Sequence, residues 1–199
     1  MEIEKKKRLM TGFDREALRT RQATMTQIAL KKSEDEQMNP IQDTKQLLQA
    51  APELYHRLIL LVGATGTGKT DLLKELARDL SVPLFNVNLS LSSELLELTA
   101  KQRALRLPEI FARVTESAAD PLLLDNLEIL FDDHLKQDPL RLLQGISRNR
   151  TVVASWNGYA TAQKLVYAEP GHAEHRNYEI GDVMIVQVSG QSLVGSTGE

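Results

Sequence analysis

Hydrophobic and polar positions along the chain change period several times, and each change predicts an element. Arg57 to Val62 (RLILLV) is an almost unbroken apolar run of strand length, the pattern of a parallel strand covered on both faces. Thr70 to Leu80 follows with Leu72, Leu73, Leu76, Ala77 and Leu80 at spacings that fill one helical face. Pro83 to Leu89 predicts a second strand. Ser93 to Leu105 and Pro108 to Ser117 predict helices, separated at Leu107-Pro108 because a residue before proline is pushed out of helical conformation. Pro121 to Asp125 (PLLLD) is a short apolar strand ending in a carboxylate, Pro139 to Ser147 a helix, and Thr151 to Trp156 (TVVASW) a fourth strand. Lys164 to Ala168 and Asp182 to Val188 offer further strands. Strands alternating with helices imply an α/β fold with three layers, a mainly parallel sheet between helices.

The ends read differently. Residues 1–37 mix charges without a helical stripe and form a charged extension, partly helical at best, either a solvated leader or a docking arm. Met38 is a candidate alternative start, and Pro40 suits a linker or a helix start. The domain is expected over residues 38–190, with 191–199 a frayed tail.

Where the first strand gives way to the first long helix stands Gly63-Ala64-Thr65-Gly66-Thr67-Gly68-Lys69-Thr70, which fits G-x-x-x-x-G-K-[ST] in the context that motif requires. Gly63, Gly66 and Gly68 let the backbone turn its N–H groups inward around an anion, and the helix start adds its positive end. Lys69 is placed to reach the β- and γ-phosphates of ATP and Thr70 to ligate Mg²⁺, with Asp71 beside them.

Composition then removes alternatives. With 24 basic and 27 acidic side chains the net charge is −3, so nothing global calls for nucleic acid or an acidic membrane surface. The absence of Cys rules out disulfides, thiolate metal sites and a cysteine nucleophile. No apolar run approaches the roughly 20 residues of a membrane span, and Lys5-Lys6-Lys7-Arg8 lacks the apolar stretch of a secretory signal, so the expected compartment is the cytoplasm.

Leu122-Leu123-Leu124-Asp125 has the form of a Walker B strand, whose Asp shares the magnesium ion with Thr70. Many hydrolysing P-loop ATPases carry Glu next; here the position is Asn126, which orders a water but cannot take its proton. Glu128 reaches the water only if the backbone takes another path. Ser155 and Asn157 end the fourth strand, and Asn157 is the better candidate for a phosphate-sensing side chain, with Trp156 a packing residue. Arg141, Arg148 and Arg150 crowd one stretch; Arg148 and Arg150 are candidates for an arginine finger reaching a neighbouring subunit, with a plain surface role as the alternative. His172 and His175 lack metal-binding spacing, and His56 and His134 carry no assigned chemistry.

No guanine-reading Asn-Lys-x-Asp motif and no Ser-Gly-Gly-Gln-like signature is present, which disfavours GTPases and transporter-type ATPases. A small-molecule kinase is the rival, but its second strand should end in substrate-binding charges, where this chain has Asn86-Val87-Asn88-Leu89-Ser90. An AAA-like ATPase core without a full helical lid domain is left.

Several blocks are more specific. Pro52 to Leu58, the phosphate loop, Leu124-Asp125-Asn126-Leu127-Glu128-Ile129-Leu130-Phe131, Asp138 to Gly145, Ser147 to Thr151 and Tyr167 to His172 together resemble the BrxF family, small P-loop proteins of the type 3 BREX bacteriophage-exclusion systems, over residues 48–180. The resemblance implies an ATPase working in phage defence beside a larger ATPase, a DNA methyltransferase, a helicase and a phosphatase-like protein. It implies DNA contact through the complex, and it adds weight to Glu128, since Asn126 then belongs to the family pattern. The expected function is Mg-ATP binding and hydrolysis, slow or partner-dependent, driving assembly or remodelling as a homo-oligomer with catalytic Lys69, Asp125, Glu128 and Asn157. A non-hydrolysing nucleotide-dependent scaffold is the alternative.

Overall fold

The computed structural model describes residues 39–181 and 183–190; the expectations for residues 1–37 and 191–199 lie outside them. α1 (Pro40–Ala50) starts at the proline, whose missing N–H costs nothing in a first turn, while the Asn39 side chain accepts from the Gln42 N–H at 3.3 Å.

The parallel sheet runs in the order β2 (Leu84–Asn86), β3 (Leu122–Asp125), β4 (Val152–Ala160), β1 (Leu58–Gly63) and β7 (Met184–Gln187). β1 is an interior strand between β4 and β7, and alternate side chains feed opposite layers. Leu58, Leu60 and Val62 pack with Phe111, Leu124, Ala154 and Trp156 on one face. Ile59 and Leu61 pack with Leu73, Leu76, Val153 and Met184 on the other. The expected three-layer α/β architecture is therefore present, and α2 (Lys69–Leu80) lays Leu72, Leu73 and Leu76 on the sheet. No helical lid domain follows the sheet among the described residues, and among them no helix is long and apolar enough to cross a membrane.

Three elements differ from the pattern. The second strand stops at Asn86, because the Asn86 side chain accepts from the Leu89 N–H at 2.9 Å and so caps α3 (Val87–Leu95). The helix expected from Ser93 is divided at Thr99, whose capping box with Gln102 opens α4 (Ala100–Glu116). Pro108 does not break that helix. The Ala104 carbonyl that a proline nitrogen leaves without its helical donor accepts instead from the Gln137 Nε2 at 2.6 Å.

β4 runs four residues past the expected Trp156, and beyond β1 it turns to pair antiparallel with β5 (Lys164–Tyr167), which pairs with β6 (Arg176–Glu179). β6 was not expected from its polar sequence. A Cβ on Gly158 would lie 2.0 Å from the Val166 carbonyl oxygen, so glycine lets the hairpin ride on β4. Trp156 is buried, as its packing role predicts, and donates from Nε1 to the Val166 carbonyl at 3.0 Å. α5 (Pro139–Ile146) precedes β4 and is capped by Asp138.

Candidate functional site

The glycine-rich loop crosses from the end of β1 to the start of α2, at the carboxyl edge of the parallel sheet, where open α/β folds bind ligands. Gly66 (φ 84°) and Gly68 (φ 92°) are left-handed, and a Cβ on either would meet nothing within 4 Å, so glycine is needed there for conformation. Gly63 is needed for space, because its Cβ would sit 2.2 Å from the Val188 carbonyl oxygen. The Thr67 hydroxyl donates to the Ala64 carbonyl at 2.9 Å and closes the loop.

Lys69 is buried and folds its ammonium over the loop, donating to the Gly63 carbonyl at 2.7 Å and the Ala64 carbonyl at 2.6 Å. Burial pushes its pKa below the ordinary lysine value, and the Asp125 and Glu128 carboxylates pull it partly back. Lys69, Asp125 and Glu128, three of the side chains on which the sequence places catalysis, therefore share one electrostatic neighbourhood. Asp125 is 5% exposed at the end of β3, while Thr70 and Asp71 are exposed on the first turn of α2. Asp71 lies with Gly66, Thr67, Gly68, Leu72 and Asn39 around a smaller cleft on the far side of the loop.

Glu128 reaches the site by the alternative backbone path. Asn126 takes a left-handed conformation (φ 56°), its carbonyl accepts from the Asn88 N–H at 3.0 Å, Leu127 is buried, and a 3-10 turn begins at Glu128. The kink costs a non-glycine residue about 1–2 kcal/mol, which Asn tolerates best. The Glu128 carboxylate is then gripped at both oxygens: Asn157 Nδ2 donates to Oε1 at 2.9 Å and Asn88 Nδ2 to Oε2 at 2.9 Å. The other end of the Asn88 amide accepts from the Ile129 N–H at 2.8 Å, fixing the turn.

Glu128, Asn157 and the loop residues Gly63, Ala64, Thr65 and Thr67 line one cleft of about 780 Å³, together with Tyr167, Glu169, His172 and Glu174. Ser155 is buried and is not part of this lining. The arginines lie elsewhere in their own chain. Arg148 is exposed with its guanidinium 5.8 Å from the centre of the Tyr55 ring, Arg141 pairs with Asp138 at 3.3 Å, and Arg150 donates to the Thr115, Glu116 and Ala118 carbonyls at the end of α4. Arg150 thus holds a helix terminus, while Arg148 presents its charge at the surface. Both His175 ring nitrogens are engaged within their own loop, with the Ala168 carbonyl and Asn177.

Asn88 and Tyr167 were not foreseen as site residues. Asn88 belonged to an expected strand, and two asparagines straddling Val87 after an apolar strand were the signal for a helix cap followed by an inward amide.

A polyphosphate fits this arrangement, in which a helix start, a buried ammonium and left-handed glycines without side chains belong to one short loop. The Thr70 hydroxyl and Asp125 carboxylate are hard oxygen donors, suited to Mg²⁺. Among the described residues no group of three or more His, Cys, Asp or Glu could hold a metal ion by itself.

Residues 59–153 match the model of the ATPase family associated with various cellular activities, AAA. The chain is 35% identical over 85 residues to the ATP-dependent zinc metalloprotease FtsH 2 of Sorangium cellulosum, covering 39% of this chain and 14% of that one. It is 32% identical over 103 residues to the FtsH metalloprotease of Syntrophus aciditrophicus, covering 48% and 14%. The chloroplastic FTSH 7 of Arabidopsis thaliana is 36% identical over 84 residues, 39% of this chain and 10% of that one. The chain thus spans about a seventh or less of the length of these relatives. The matched segment starts within β1 and ends within β4, taking in the phosphate loop, Asp125 and Glu128 but not Asn157 or the hairpin.

Proposed function

We propose that this chain binds Mg-ATP at the Gly63–Thr70 loop and hydrolyses it with Glu128 as the proton acceptor, as an AAA-type ATPase component of a BREX-like phage-defence complex. The observation that carries the reading is the convergence of Lys69, Asp125 and Glu128 at the end of the sheet, with the left-handed Asn126 delivering the glutamate that the sequence displaces by two positions. Lys69 binds phosphate oxygens, and Thr70 and Asp125 hold the magnesium ion. Bound Mg²⁺ supplies neutralisation of phosphate charge. Glu128 accepts the proton of the water that attacks the terminal phosphorus while the bond to the bridging oxygen breaks, leaving ADP and phosphate.

With Asn88 and Asn157 on both of its oxygens, Glu128 is in a resting arrangement, which supports slow or partner-dependent turnover and keeps a nucleotide-controlled scaffold as the second reading. The resemblance of the Leu124–Phe131 and Ser147–Thr151 blocks to the BrxF family supports the defence role, with a larger ATPase, a methyltransferase and DNA met through the complex, in the cytoplasm. In a homo-oligomer the exposed Arg148 is better placed than Arg150 to reach a neighbour's γ-phosphate. The zinc-dependent proteolysis in the relatives' names is not part of the proposal, since the chain spans so little of them.

Calorimetric titration with ATP and Mg²⁺ tests the reading, with Lys69→Ala as the comparison. Binding that Lys69→Ala weakens at least 10-fold is expected; equal affinity in both would remove the site assignment. Light scattering with ADP and with a slowly hydrolysed ATP analogue tests assembly: a nucleotide-dependent rise in mass supports a site completed in trans, and a constant monomer contradicts it.

A further inference from the structure

His172 has the wrong spacing from His175 for a metal site, yet the fold carries it to the phosphate loop. The β5–β6 hairpin is rooted beside Asn157, where the Ala168 N–H donates to the Asn157 carbonyl at 2.9 Å. From there the chain turns through two left-handed residues, Ala168 (φ 57°) and Gly171 (φ 95°). The connection is closed on itself: the His172 N–H donates to the Glu169 carbonyl at 3.1 Å, the His175 N–H donates to the His172 carbonyl at 3.0 Å, and the His175 ring meets the Ala168 carbonyl at 3.2 Å. His172 therefore stands on a braced turn, and it lines the cleft of about 780 Å³ together with Thr65, Thr67, Glu128 and Asn157.

One contact sets the state of its ring. The Glu174 backbone N–H donates to His172 Nδ1 at 3.2 Å, and a backbone amide can only donate, so the ring hydrogen is on Nε2. That Nε2–H has no partner among the described residues. The composition of the cleft makes a free donor consequential. Glu128, Glu169 and Glu174 bring three carboxylates to the lining, and no lysine or arginine is among the described residues that line it. The Lys69 ammonium is bonded to the Gly63 and Ala64 carbonyls within the loop itself. Arg148 and Arg150 immediately precede β4, at the amino edge of the parallel sheet and so at the opposite edge from the phosphate loop.

We propose that His172 is a phosphate-binding residue of this site, donating from Nε2 to an oxygen of the γ-phosphate. The inserted hairpin then supplies, from the same chain, a donor that faces the triphosphate across a wall of carboxylates. ADP lacks the group that enters this cleft, so the contact distinguishes the two nucleotides. This rests on Mg-ATP binding at the Gly63–Thr70 loop, as proposed above.

Two substitutions separate the donor from the turn. Asparagine places an oxygen where Nδ1 stands and ends short of Nε2, whereas glutamine carries a donor out to the Nε2 position and leaves the Nδ1 position empty. Calorimetric titration with a slowly hydrolysed ATP analogue should show His172→Asn weakened by roughly 10-fold or more, the size of a hydrogen bond to a charged group. His172→Gln should be weakened less, and ADP affinity should be unchanged in both. A residue that only braces the turn gives the reverse order, because His172→Asn keeps the acceptor for the Glu174 N–H and His172→Gln loses it. That reverse order, equal losses in the two variants, or a loss shared by ADP would overturn the assignment of His172 while leaving the loop as the nucleotide site. A wild type that binds neither nucleotide, or a Lys69→Ala variant that binds both as tightly as the wild type, would instead remove the site reading and this assignment with it.

Discussion

Asn88 and Glu128 lie 40 positions apart in the chain and meet through a 2.9 Å hydrogen bond from Nδ2 to Oε2. The same amide accepts from the Ile129 N–H, so one side chain at the start of α3 ties down the turn that carries the proposed base. Asn88→Ala should therefore destabilise the fold by about 2 kcal/mol, from one charge-assisted and one neutral hydrogen bond in a half-buried place. Asn86→Ala, which removes only a helix cap, should cost about 1 kcal/mol. Denaturant unfolding of both variants checks the order, and equal costs would show that Asn88 does not anchor the turn.

Asn126 is the departure from the common ATPase pattern and is left-handed. Asn126→Gly should keep both stability and turnover, since glycine adopts that conformation freely. Asn126→Val should lose roughly 2 kcal/mol and displace Glu128, lowering turnover in the molecules that still fold. A stable, fully active Asn126→Val would contradict the role of the kink.

Arg150 holds the carbonyl end of α4. Arg150→Ala should lower stability by about 1–2 kcal/mol and leave turnover per folded molecule unchanged. Lost turnover with an unchanged thermal midpoint would assign Arg150 to a neighbour's nucleotide instead.

The interior strands β1, β3 and β4 were legible because their buried residues appear as apolar runs, and the phosphate loop because its chemistry needs glycine and lysine at fixed spacing. What escaped depends on contacts distant in sequence. Pro108 stays helical because Gln137 supplies a donor from another segment, and no local pattern encodes that. β2 stops early because Asn86 prefers to cap a helix. The hairpin is hidden because β6 is polar and its strand character comes only from pairing with β5. Asp125 was legible from the strand it ends, whereas the hydrogen bonds of Glu128 emerge only once β2, β3 and β4 are side by side.

Lys69 gives a pH dependence with a definite sign. Burial lowers its pKa below 10.5, and a bound phosphate anion raises it again. Between those two values the free protein has lost a proton that the complex keeps, so binding takes up protons and affinity falls as pH rises through this window below the ordinary lysine value. Calorimetry in buffers of different ionisation enthalpy should show a buffer-dependent binding heat as pH rises through that window, and the heat should lose this dependence in Lys69→Ala. A binding heat independent of buffer throughout would contradict the assignment of Lys69 to phosphate.

The central claim is that Glu128, delivered by the Asn126 kink, takes the proton of the attacking water. Single-turnover release of γ-phosphate, compared between the wild type and Glu128→Gln at saturating Mg-ATP, tests it most directly, because the substitution keeps size and removes basicity. The account predicts a rate at least about 100-fold lower in Glu128→Gln with ATP affinity retained. Equal rates in the two proteins would contradict it.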